Sequence, residues 1–167
     1  MQVYAPHVLV LFASVILQTT VMPHFRVMGS QPDLVLIVTI TFAFLEGPAF
    51  GSATGFFGGL LQDLAVTQVV GLSALSKTLV GYMAGQLERT IFTDSIFLPV
   101  ISIFIATLVN ETIYVGFAYL FSYEIPVRFI YSTLVLPAAF YNSILALFIY
   151  PLLRRLVYYK QESVVPS

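Results

Sequence analysis

Two charged residues fall deep inside apolar stretches of this sequence, Lys77 within Gly71–Leu87 and Glu111 within Ser95–Phe121. A charge at the centre of a membrane helix costs roughly 2.5–3.5 kcal/mol. Such residues face a protein interior or a cavity, and they are candidates for moving protons or ions. An ion pair that fixes the register of a helix bundle needs the same residue types and fewer of them. The pair is the preferred reading, because a relay needs a chain of such groups and other carboxylates, among them Asp33, Glu46, Asp63 and Glu88, fall near the ends of apolar stretches. Asp63 and Glu111 are the expected partners of Lys77. Asp33 stands directly before an apolar run, where it suits the N-cap and the positive dipole end of a helix. Asn110 and Asn142 are placed to hydrogen-bond between helices.

Signatures of enzymes are sparse. There is no His-Glu-x-x-His, no Gly-x-Ser-x-Gly and no phosphate-binding Gly-x-x-x-x-Gly-Lys-Ser/Thr. The chain has no cysteine and two histidines, His7 and His24, at opposite ends of the first apolar run. They are too far apart to share a metal and read as packed or interfacial side chains. No catalytic residue, metal site or cofactor is expected.

Glycine spacing is the strongest local pattern. Gly47, Gly51, Gly55 and Gly59 recur every four residues with Gly58 beside them, and Gly81 and Gly85 repeat the device. Residues four apart share a helix face, and a face without side chains lets another backbone approach closely. Packing between the chain's own helices is favoured over a groove for a partner's transmembrane helix. Both stripes end in charge: four residues beyond Gly59 is Asp63, and four before Gly81 is Lys77.

Composition sets the solvent. Of 167 residues 59% are hydrophobic and 9% charged, against about 25% charged in soluble domains. Mean hydropathy is +0.94. A water-facing surface and a nucleic-acid partner are both excluded, since seven Lys and Arg make no basic field. The bilayer is the fitting solvent, and the apolar runs are continuous as in helices instead of alternating as in a barrel. The expectation is an all-α polytopic bundle of about six spans, near Val3–Met22, Asp33–Leu45, Pro48–Leu61, Gly71–Leu87, Ser95–Phe121 and Val127–Leu153. Arg154–Ser167 reads as a short wet tail. The first run is taken as a retained span, because no basic residue precedes it and no small-x-small cleavage site follows. Spans two and three are short, with Gly47-Pro48 as the break between them, and Pro137 is expected to kink the sixth span. Interfacial belts account for most tyrosines, Tyr114 among them. Arg89, Arg154, Arg155 and Lys160 lie on the side of both termini and Arg26 and Arg128 on the other, which favours cytoplasmic termini.

The order of short motifs resembles a known family. Leu17-Gln18-Thr19-Thr20-Val21-Met22-Pro23, Gly29 and Pro32-Asp33-Leu34 are followed by Gly47, Gly51 and Gly55-Phe56-Phe57-Gly58-Gly59-Leu60-Leu61-Gln62-Asp63, then Gly71-Leu72-Ser73-Ala74-Leu75 and Gly81-Tyr82-Met83-Ala84-Gly85. Over this first half the chain resembles MreD, the rod shape-determining membrane protein of bacteria. The resemblance implies a non-enzymatic scaffold in the cytoplasmic membrane. It would bind the transmembrane region of MreC and work beside MreB, the RodA glycosyltransferase and a class B penicillin-binding protein. It also implies a fold similar to the S-components of energy-coupling-factor vitamin transporters. An S-component is therefore the alternative function. The first span carries Ala5 and Ala13 only, eight apart, which does not match the Ala-x-x-x-Ala by which such components dock. An intramembrane enzyme or proton channel built on Lys77 and Glu111 is a third reading.

Overall fold

The structure is a computed structural model that describes residues 5–26, 29–66, 70–88, 97–120 and 131–162. Among these residues it contains six α-helices: α1 (Ala5–Thr20), α2 (Leu34–Glu46), α3 (Pro48–Val66), α4 (Leu72–Glu88), α5 (Phe97–Leu120) and α6 (Leu136–Glu162). A 3-10 turn at Met22–Phe25 follows α1, and a π turn at Tyr131–Val135 leads into α6. The described residues hold no strand.

Helix α2 forms the centre. It is apolar on every side, and all residues from Leu34 to Ala43 are buried. A helix with no polar face must lie inside something apolar, and here that is protein, since the other five helices all touch it. Its 13 residues span about 20 Å at 1.5 Å per residue, well short of the roughly 30 Å hydrocarbon layer. Two helices are long and apolar enough to cross that layer, within Leu98–Leu120 and Tyr131–Val157.

Local sequence explains the breaks. Gly47 takes a left-handed φ of 92°, donates its N–H to the Ala43 carbonyl at 3.0 Å and ends α2. Pro48 then opens α3 without loss, because the first N–H of a helix has no intrahelical partner. Pro137 sits one residue into α6, behind the π turn. Its ring leaves the Thr133 carbonyl without the usual donor, and the turn before it widens.

Two ends differ from the expectation. Helix α3 continues past Leu61 to Val66, and α6 continues past Leu153 to Glu162 with Pro151 inside it. Much of the segment expected as a wet tail is thus helical. Leu153 and Val157, four residues apart, are both buried against Val38 and Phe42, so the packing of one face carries the helix through its arginines.

Helices α3 and α4 pack backbone to backbone. A Cβ added to Gly59 would lie 2.6 Å from the Ser73 carbonyl oxygen, and one on Gly85 would lie 2.5 Å from the Pro48 backbone. Added to Gly51, Gly55 or Gly81, it would collide with Ala43, the Lys77 carbonyl or the Gly51 backbone. Gly58 turns the other way, toward Val35 and Leu11. The two stripes face each other within one chain and leave no glycine groove for a partner helix.

The surface is apolar. Leu9, Phe12, Ile16, Ile105, Phe140, Ile144, Phe148 and Leu152 are exposed, while Thr39, Thr41, Thr54, Ser76, Thr107, Asn110 and Asn142 are buried. This arrangement suits a chain whose solvent is lipid, where the bundle interior is the place for polar side chains.

Gly55→Leu is expected to destabilise the bundle by about 3 kcal/mol or more, because the new side chain overlaps backbone that has no room to move. Gly116, on α5 with open space around its Cα, should accept leucine with no loss. Thermal unfolding and gel filtration of both variants in detergent check this pair.

Candidate functional site

Helix α2 starts inside the bundle, so the free N–H groups of its first turn need partners there. Side chains from two helices and from the cap residue supply them. The Leu34 N–H donates to Gln18 Oε1 of α1 at 2.7 Å, and Gln18 Nε2 donates to the Pro32 carbonyl at 2.9 Å. The Asp33 N–H donates to Asn142 Oδ1 of α6 at 2.8 Å, and Asn142 Nδ2 donates to Thr107 Oγ1 of α5 at 3.1 Å. Asp33 caps the helix itself, with Oδ1 accepting from the Leu36 N–H at 3.0 Å.

The second oxygen of Asp33 meets Lys77. Lys77 Nζ lies 2.7 Å from Asp33 Oδ2, with both side chains largely buried. This corrects the expected pairing of Lys77 with Asp63 or Glu111. Asp63 is fully buried at the α3–α4 turn, where Oδ2 accepts from the N–H groups of Gly71 at 2.8 Å, Ser73 at 3.0 Å and Ala74 at 3.3 Å. The start of α4 occupies it, much as the start of α2 occupies Asp33. Lys77 lies more than a turn further along α4 and faces inward to α2. A carboxylate serving as both cap and counter-ion is in keeping with the dipole of α2, whose positive end lies beside it.

These groups line one cavity of about 260 Å³ at the end of the bundle away from Ala5 and Glu162. Gln18 reaches it from α1, Asp33 from the cap of α2, Gln62 from α3, Lys77 and Ser73 from α4, and Asn110, Glu111 and Tyr114 from α5. Segment 29–31 and Leu134 and Ala138 also line it. Asn110 Nδ2 donates to Glu111 Oε1 at 3.2 Å. Of the residues singled out in the sequence, the structure brings Asp33, Lys77 and Glu111 together and keeps Asp63 apart as a cap. Tyr114 lines the cavity as well. Gln18, Gln31 and Gln62 carry no expectation from the sequence as site residues, although an amide inside the apolar run Val15-Ile16-Leu17-Gln18 is itself a signal.

The glycines lie elsewhere in the roles already described, Gly47 as the stop of α2 and Gly51, Gly55, Gly59, Gly81 and Gly85 in the α3–α4 contact. His7 is buried at the opposite end, between the rings of Phe42 and Phe50 at 4.9 and 5.0 Å, with Nε2 3.5 Å from Glu46 Oε1. His24 is exposed, its Nδ1 3.1 Å from the Thr20 carbonyl oxygen. Arg89 and Arg128 lie outside the described residues.

Lys77→Met is expected to cost roughly 3–5 kcal/mol, since it leaves the Asp33 carboxylate buried and unpaired. Asp33→Asn keeps a capping side chain and Asp33→Ala does not, so the alanine variant should be the weaker of the two by about 1 kcal/mol. Unfolding of the three variants in mixed micelles reads both differences, and an alanine variant as stable as the asparagine one would contradict the cap.

Comparison with known proteins gives a family match. Neither curated proteins nor solved structures yield any. The family described as rod shape-determining protein MreD matches residues 1–160. That is nearly all of the 167 residues, and it includes the second half, for which the motifs carry no resemblance. The chain belongs to the MreD family of membrane proteins that take part in determining rod shape.

Proposed function

We propose that this chain is a non-enzymatic scaffold of the cell-elongation complex in the bacterial cytoplasmic membrane. It holds the transmembrane region of MreC and links it to MreB, to RodA and to a class B penicillin-binding protein. Both termini face the cytoplasm, which puts the polar cavity toward the outside. The family match over residues 1–160 carries this reading.

The build of the chain agrees with it. The six helices take up nearly all the described residues, so the protein meets partners through helix faces and loop edges. The glycine stripes are used up between α3 and α4. A partner helix therefore meets the large side chains of the outer faces, and close backbone approach through the glycines plays no part. A vitamin-capturing S-component is not favoured, because about 260 Å³ falls below the roughly 300–1,000 Å³ of pockets that hold drug-sized ligands.

Co-expression with MreC of the same organism, followed by detergent extraction and capture on a tag, tests the proposal. Stable co-purification at a fixed ratio is expected. A monodisperse protein that captures no MreC would contradict it.

A further inference from the structure

Some acceptors on residues that line the cavity beside Asp33 have no donor among the described residues. Lys77 and Asp33 balance each other's charge, which leaves Glu111 as the surplus carboxylate among the described residues of the wall. Two amide oxygens join it. Asn110 Oδ1 and Gln62 Oε1 are both buried, and neither has a hydrogen-bond partner among the described residues. Asn110 is only 2% exposed, and its amide nitrogen is directed to Glu111, so its oxygen is the end left over. Buried acceptors without donors each lose free energy, and a buried charge loses more unless it is paired. The wall therefore asks for a group that brings positive charge and several N–H donors at once.

We infer that this cavity binds a primary ammonium group, with Glu111 as its counter-ion and Gln62 and Asn110 as further acceptors. An ammonium carries three donors and no acceptor, which matches one carboxylate and two amide oxygens. A divalent metal fits less well, since among the described residues no three carboxylate or imidazole groups converge and such ions collect several anionic oxygens. The space suits a small group, since about 260 Å³ equals the liquid volume of roughly eight to nine water molecules. Two sources supply this chemistry, a free small amine and the headgroup of phosphatidylethanolamine. The inference rests on the cavity alone and is independent of the scaffold reading.

Thermal unfolding at constant ionic strength tests it. Detergent-purified protein is compared in methylammonium, tetramethylammonium and sodium chloride. A second arm compares nanodiscs of phosphatidylethanolamine with nanodiscs of phosphatidylcholine, both diluted with phosphatidylglycerol. Methylammonium at ten times its Kd should raise Tm by roughly 3–5 °C over the other two salts, and that result assigns a free amine. A rise only in the ethanolamine discs assigns the lipid headgroup. In either case Glu111→Gln should remove the response, and Gln62→Met, an uncharged change on the wall, should weaken it several-fold without loss of folding. Equal shifts with tetramethylammonium or sodium would overturn the inference, since charge without N–H donors would then suffice. No shift in either arm would overturn it as well and leave a water-filled cavity.

Discussion

The fold depends on how one short helix begins. Helix α2 starts inside the bundle, where its first backbone N–H groups are buried or half-buried and need partners from the protein. Gln18, Asn142 and the Asp33 carboxylate meet those groups, and Lys77 neutralises the carboxylate. Each partner comes from a different helix, α1, α6 and α4. The same contacts that let α2 start there also fix three of its neighbours around it. Asn142 extends the tie to Thr107 on α5. Once α2 is placed, its apolar surface supplies the core against which the other helices pack.

Helices α3 and α4 add a second constraint of another kind. Between lipid-facing helices there is no hydrophobic drive, because lipid tails are as apolar as side chains. Close backbone contact takes its place, and the five stripe glycines allow it. Asp63 closes the turn that joins these two helices by accepting from the first amides of α4. Polar groups thus sit where helices begin, glycines sit where helices touch, and large apolar residues sit outside.

Much of this is legible in the sequence and some is not. The break at Gly47-Pro48 shows in the residues, because positive φ and a missing N–H belong to those two types alone. The glycine stripes show as a four-residue period. Lys77 and Glu111 stand out as charges within apolar runs. The partner of Lys77 does not show, because proximity along the chain favours Asp63, whereas the deciding fact is that α2 and α4 start at the same end of the bundle. That places Asp33 and Lys77 at similar depth although 44 positions separate them. The far end of α6 is missed because its arginines read as the start of a tail, while the burial of Leu153 and Val157 depends on α2 being beside them.

The central claim is that the Asp33–Lys77 pair holds the first turn of α2 in the bundle interior. Hydrogen–deuterium exchange of the Lys77→Met variant tests it most directly. The account predicts faster exchange at the amides of Leu34 to Ile37, with α6 around Leu153 and Val157, at the other end of α2, as protected as in the parent protein. Unchanged protection at those amides in a folded Lys77→Met variant would contradict it.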